Sequence, residues 1–315
     1  MKCFIEERVC SLSHGHPKGP RRNATNFNKP LKVDGYLEML SGCFVICLSF
    51  GRDNADYKFA SYGLTREDTS GIIQSAWCVM YLFKKFTATI FVMLVPLFLV
   101  ASSVRWVIDT PLIYSYGFTK YDISSYTGID DTELINAAGQ IRDYFNNDQT
   151  FLDVKVTQKG VRKSIYNDRE VAHMVDVKRL VKGVFRAQLI SGMYLLGFVL
   201  VGFYLGTRRY VLDISRYLNR GGVFTLTLIL LVSAIALTGF KQAFLLFHLI
   251  SFSNDLWQLD PRTDYLIAMF PEGFFFDATA WIAASTIAMA ILLCLVSRAL
   301  LFFAPKTNQY TSRLF

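Results

Sequence analysis

Four stretches of this chain are each long and apolar enough to cross a lipid bilayer. They cover roughly residues 86–108, 187–206, 223–240 (with apolar continuation to 252) and 276–303. A spanning helix needs about 20 predominantly apolar residues, because in hydrocarbon the backbone N–H and C=O groups must be satisfied within the segment. Arg105 and Arg298 fall near the ends of their runs, where a long cationic stem can snorkel to the headgroups. At 52% hydrophobic residues the chain lies above the soluble range of about 45–50%. These features predict an all-α transmembrane bundle of four spans.

The formal charge of +8 does not read as a nucleic-acid footprint, since the cations flank the spans. Lys84 and Lys85 precede the first run, Arg208, Arg209, Arg216 and Arg220 fill the second connection, and Arg298, Lys306 and Arg313 lie at or after the fourth. By the positive-inside bias these segments face the cytoplasm, with both termini inside. The segments 109–186 and 241–276 are then outside. The second of these sets Lys241 and Arg262 against Asp255, Asp260, Asp264, Glu272 and Asp277. Lys178, Arg179, Lys182 and Arg186 run against the bias, but in a long loop, where it is weak.

The six cysteines (Cys3, Cys10, Cys43, Cys47, Cys78 and Cys294) all avoid the outer segments, so no disulfide framework is expected. Cys10, His14 and His16 match no standard zinc spacing, and the Asn23 sequon has no meaning on the inner side. Residues 1–79 differ in character from the rest and are expected to be a tail. Met80, with its short basic lead into an apolar run, reads as a possible true start, which leaves 80–315 as the membrane domain.

The 109–186 segment is long enough for a small α+β extracytoplasmic domain between spans 1 and 2. Leu134, Ile135, Ala138, Ile141 and Phe145 form a helical stripe. Leu152, Val154 and Val156 alternate before a turn at 158–160, and 161–166 return, which predicts a hairpin. Asn167 and Asp168 offer a cap for an interfacial helix whose basic side, Lys178, Arg179 and Lys182, would meet lipid phosphates. Gly183 reads as a joint into the second span. Gly202-x-x-x-Gly206 reads as close helix packing rather than a dimer seam, with oligomeric state open. Near the third span, Asp260-Pro261 reads as a helix start and Tyr265–Phe270 as a short re-entrant or interfacial helix stopped by Pro271. Trp257, Tyr265 and Phe274–Phe276 would form an aromatic wall at lipid level, suited to an acyl chain.

No nucleophile elbow, zinc helix or P-loop occurs. Past residue 79 the chain has two histidines, His173 and His248, both at the expected outer face and each followed closely by an acid. Asp176 lies three residues after His173, on the same helical face, and Asn254 and Asp255 follow His248. Histidine is the side chain suited to acid–base work near neutral pH, and a neighbouring carboxylate would fix its tautomer. The bland reading is a pair of interfacial histidines that bond lipid headgroups. Two further readings stay open: a lipid-binding or scaffold protein without activity, and a metal-dependent hydrolase using His173, His248, Asp176 and Asp255.

The segments "EVAHMVDVKRL" and "FHLISFSNDLWQLDPRTDYLIAMFPEGFF" resemble the two signature segments of a bacterial four-span family, the lipoprotein intramolecular transacylases. The resemblance covers Met80 to the C-terminus. It implies a location in the bacterial cytoplasmic membrane, a substrate among diacylglyceryl lipoprotein N-termini within the phospholipid leaflet, and no cofactor or metal. The family's two catalytic histidines fall on His173 and His248. The implied reaction moves the sn-2 acyl chain from glyceryl oxygen to the cysteine α-amine. Asp176 and Asp255 would support the histidines, and Asn254 is the candidate oxyanion donor.

Overall fold

The computed structural model describes residues 66–158, 160–204 and 208–303. Most of the tail expected over residues 1–79, with Cys10, His14, His16 and Asn23, therefore lies outside the described residues, as do Lys306 and Arg313. The first helix, α1, runs Arg66–Asp109 and is already helical ahead of Met80. The chain continues through α2 (Pro111–Lys120), α3 (Ile123–Thr127), α4 (Asp131–Asn146), β1 (Lys155–Gln158), β2 (Val161–Ser164), α5 (Asp168–Tyr204), α6 (Arg208–Thr238), α7 (Phe240–Ser251), α8 (Tyr265–Met269) and α9 (Glu272–Phe303).

Four of these helices, α1, α5, α6 and α9, are long and apolar enough to cross a membrane. Leu189, Leu196, Leu231 and Leu292 on three of them are each about 60% exposed, a pattern that suits a hydrocarbon solvent and not water. Between the helices, small residues let backbones approach. A Cβ on Gly221 would sit 2.7 Å from Val95, and one on Gly222 would sit 2.5 Å from the sulfur of Cys294. The fully buried Thr286 hydroxyl donates to Ser103 at 2.8 Å, tying α9 to α1 in an otherwise apolar seam. Gly202 lies against the ring of Tyr210; Gly206 is outside the described residues.

Two expectations about the spans are corrected. Arg208, Arg216 and Arg220 do not fill an irregular loop, because α6 starts at Arg208 and carries the basic stretch as its first turns. Gly183 is no joint, since α5 runs unbroken from the histidine segment into the span. The third span ends at Thr238, close to the expected 240, and its apolar continuation is a separate helix. The chain breaks at Gly239, whose φ −168°, ψ 64° is incompatible with a helix, and α7 begins anew.

Between α1 and α5 lie three helices and a hairpin with a shared core. β1 and β2 pair antiparallel, with Val156 opposite Lys163, around Gly160 at φ +79°, a left-handed conformation that favours glycine. Leu134, Val154, Val156 and Met269 are essentially without exposed surface, so this core also takes in α8. The outer edge of β1 is covered by α4. Gln140 Nε2 donates to Lys155 O (2.9 Å) while its Oε1 accepts from Lys155 N (3.0 Å), and Glu133 accepts from Thr157 N (2.8 Å). The buried stripe of α4 differs from the expected one: Ala137 and Tyr144 are buried and Ile135 is exposed. Asp260-Pro261 starts a turn rather than a helix; the cap of α8 is Asp264.

Candidate active site

The site forms where the start of α5 meets α7 and the irregular chain after it. Asn167 and Glu170 build a reciprocal capping box at the head of α5. Asn167 Oδ1 accepts from Arg169 N (3.0 Å) and Glu170 N (3.1 Å), and Glu170 Oε2 accepts from Asn167 N (2.8 Å). His173 follows one turn later and is 7% exposed.

His248 lies near the end of α7 and is 9% exposed. Its Nδ1 lies 2.8 Å from the carbonyl oxygen of Phe244 one turn back. A carbonyl can only accept, so Nδ1 carries the proton in the neutral ring and Nε2 keeps its lone pair. Trp257 packs on His248 with ring centroids 5.0 Å apart, and Phe244 meets it edge-on at 4.4 Å.

The two imidazoles, distant in sequence, come together with centroids 6.4 Å apart and planes inclined by 28°. Phe252 touches both, at 5.1 Å from His173 and 5.7 Å from His248. Nδ1 of His173 is buried, and no protein group among the described residues hydrogen-bonds it. An open groove of about 660 Å³ reaches His248 between Phe244, Leu245, Trp257, Leu259 and Ile267. At its rim Arg262 grips Asp260 at 2.6 Å, and this cation holds the Asp260 carboxyl down at about 2.

The acids do not do what their spacing implied. Asp176 bonds neither histidine: its Oδ2 accepts from Asn254 Nδ2 (2.8 Å) and its Oδ1 pairs with Arg179 (3.0 Å). Asp255 is exposed, its Oδ1 accepts from Gln258 Nε2 (3.2 Å), and its backbone carbonyl takes Arg169 (2.6 Å). The expected tautomer-fixing carboxylate is replaced at His248 by the backbone of Phe244. Asn254 stands within this network, with one N–H on Asp176 and its oxygen accepting from Leu256 N (3.1 Å). Among the described residues no three metal-binding side chains converge.

Other expected lipid contacts also move. Lys178 does not face headgroups: it is 9% exposed, its Nζ donates to Asn147 Oδ1 (3.1 Å) and Gln149 O (2.5 Å), and it lies 3.9 Å above the Tyr144 ring. Arg179 does remain exposed. Phe274 is 7% exposed and belongs to the core, where it fills the space over Gly117. Tyr265 is half-buried against the same core. Phe275 and Phe276 are the partly exposed aromatic residues, packed on Phe244 and Phe240.

Sequence reasoning missed Phe244, Phe252 and Glu170. The first acts through its backbone and the second as an apolar ring, so neither carries a signal. Glu170 was legible as Asn167-x-x-Glu170, the spacing of a capping box.

Similarity to known proteins identifies its family. The profile of the family described as lipoprotein intramolecular transacylase Lit matches residues 89–275. An Aquifex aeolicus (strain VF5) protein of uncharacterised function is 31% identical over 132 residues, covering 42% of this chain and 56% of that protein. The chain thus spans little more than half the length of that relative. Among solved structures, the membrane-integral transacylase Lit from Bacillus cereus superposes with a TM-score of 0.60 at 20% identity, over 70% of this chain and 96% of its own. A form of it with one histidine changed to arginine gives a TM-score of 0.60 at 19% identity, over 73% and 96%. These solved structures share the fold, and the profile covers more than half of the chain. The chain belongs to the lipoprotein intramolecular transacylase family.

Proposed function

We propose that this protein moves an acyl chain from the glyceryl sn-2 ester to the α-amine of the N-terminal cysteine in diacylglyceryl lipoproteins. The observation that carries this reading is the convergence of His173 and His248, with centroids 6.4 Å apart, beside an apolar groove. The cation distribution supports an orientation with both termini in the cytoplasm, and the α+β layer and the histidines at the outer face.

In this mechanism the substrate supplies both nucleophile and electrophile, so the protein needs neither. The cysteine ammonium first loses a proton. The freed amine attacks the sn-2 ester carbonyl, a tetrahedral oxyanion forms, and the attacking nitrogen gives up its second proton. The C–O bond to the glyceryl oxygen then breaks. That oxygen takes a proton, leaving an N-acyl, S-monoacylglyceryl cysteine. His248 serves as base through Nε2, since Nδ1 is committed to Phe244. His173, stacked 6.4 Å from His248, gives its ring proton to the leaving oxygen and regains one from the protonated His248 through water. Asn254, oriented by Asp176, is the donor to the oxyanion through its second N–H. The groove beside Trp257 takes apolar substrate, and Arg179 lies exposed toward phospholipid headgroups. Holding amine and ester together is the larger part of the rate gain, because proximity alone is worth up to about 7–11 kcal/mol.

Mass spectrometry of lipoprotein N-termini, in cells with and without this protein, tests the proposal. The expected result is a lyso form, with one N-linked and one O-linked chain, that appears only with the protein. Unchanged N-termini would return the scaffold reading to the front.

A further inference from the structure

Glu170 is the least exposed charged side chain near the histidines, at 0%. One carboxylate oxygen closes the capping box of α5 through Asn167 N at 2.8 Å. Its other oxygen reaches across the fold and accepts from the backbone N–H of Leu266 at 2.6 Å, in the first turn of α8. A second link joins side chains. Asn167, the cap of α5, donates through Nδ2 to Asp264 Oδ1 at 2.9 Å, and Asp264 holds the N-cap position of α8 without a side-chain bond to that helix's backbone. Asp264 Oδ2 in turn accepts from Asp260 N at 2.8 Å and closes the turn before it. The starts of the two helices are thus tied twice, once through Glu170 to the backbone of α8 and once between the side chains of Asn167 and Asp264.

The wiring bears on the reaction because of what lies on either side. His173 is one turn beyond Glu170 on α5. The chain between α7 and α8 has no regular secondary structure of its own, and it carries Asn254 and the ring of Trp257 that packs on His248. Such a chain keeps one conformation only where polar contacts hold its backbone. An ordinary capping box needs one carboxylate oxygen, so the second bond to Leu266 is beyond what α5 requires.

We propose that Glu170 is a positioning residue for acyl transfer: by joining the cap of α5 to the start of α8, it sets the Asn254–Trp257 segment and His248 against His173. This rests on the transacylase reading above. Misplacement of reacting groups by about 1 Å can cost about 10²-fold in rate, so the expected defect is in turnover rather than in substrate capture.

The test compares the full-length protein with Glu170→Ala and Glu170→Gln in detergent. Turnover of a synthetic diacylglyceryl lipopeptide is normalised to folded protein, and amide hydrogen exchange is read by mass spectrometry. Glu170→Ala is expected to lower kcat by about 10–100-fold with KM within about threefold. It should also speed exchange across residues 253–268 while leaving 131–146 protected. Glu170→Gln keeps one carbonyl acceptor and should recover part of both. Wild-type kcat per folded molecule would overturn the proposal, and so would a kcat loss with exchange over 253–268 unchanged. If the wild-type protein transfers no acyl chain, the transacylase reading fails. The exchange data then decide alone whether Glu170 holds the segment.

Discussion

The span bundle and the layer between α1 and α5 are stabilised by different means. In the bundle helices approach closely at Gly221 and Gly222, a small buried cluster forms around Phe91 and Val95, and leucines such as Leu231 point outward at 60% exposure. The layer buries a much larger set of side chains, among them Leu134, Val154 and Met269, with almost no exposed surface. A bundle whose outside is as apolar as its inside gains little from hydrophobic burial and depends on close packing and lipid. The layer has a core in the ordinary sense. The two histidines lie where the head of α5, at the edge of the layer, meets α7; the proposed reaction needs a ring there that reaches an ester at glyceryl depth without the cost of charging at the bilayer centre.

Perturbing that meeting point should have the largest effect. His248→Ala is expected to lower product formation by about 10²–10⁴-fold while leaving the protein inserted and folded. His173→Ala should behave alike, and the double variant should be little worse than either, because residues that act as a unit lose their joint contribution once. Lipopeptide turnover followed by mass spectrometry measures all three. Normal product from His248→Ala would remove the dyad.

A pair of leucine substitutions sharpens the contrast itself. Leu134→Ala, in the layer, should cost about 2–5 kcal/mol through the cavity it leaves. Leu231→Ala, on the bundle's outer surface, should stay within about 0.5 kcal/mol. Thermal unfolding in detergent reads both, and equal losses would show that the two regions share one kind of packing.

Smaller effects are expected in the polar network that joins the regions. Asn254→Ala removes a hydrogen bond to a carboxylate, worth about 1.5–3 kcal/mol, and should slow turnover by about tenfold or more. Asp255→Asn should leave turnover within about threefold, since its side chain is exposed and bonds only Gln258 among the described residues. A large loss there would assign Asp255 a role its geometry does not give it.

The four apolar runs, the 154–164 hairpin and the Asn167 cap were legible in the sequence. Each follows from a local period or a local residue preference, and the fold contains all three. The readings that failed needed information from elsewhere in the chain. Lys178 has the look of a headgroup-facing cation, yet Tyr144 and the 147–149 turn lie over it and supply its partners. Phe274 has the look of a lipid-facing ring, yet Gly117 opens a space on α2 that it fills. Spacing put Asp176 on the face of His173, but a better-placed donor, Asn254, takes its carboxylate.

The amino-acid order alone marks a four-helix membrane protein with two histidines past its N-terminal tail, one ahead of the second span and one after the third. Hydropathy and residue type are properties each stretch carries wherever it folds. The meeting of the two rings, the backbone carbonyl that sets the tautomer of His248 in place of an acid, and the bond from Glu170 to α8 all arise in the folded chain. Those contacts join residues far apart in the chain or run through backbone atoms that every residue shares, so neither composition nor spacing encodes them.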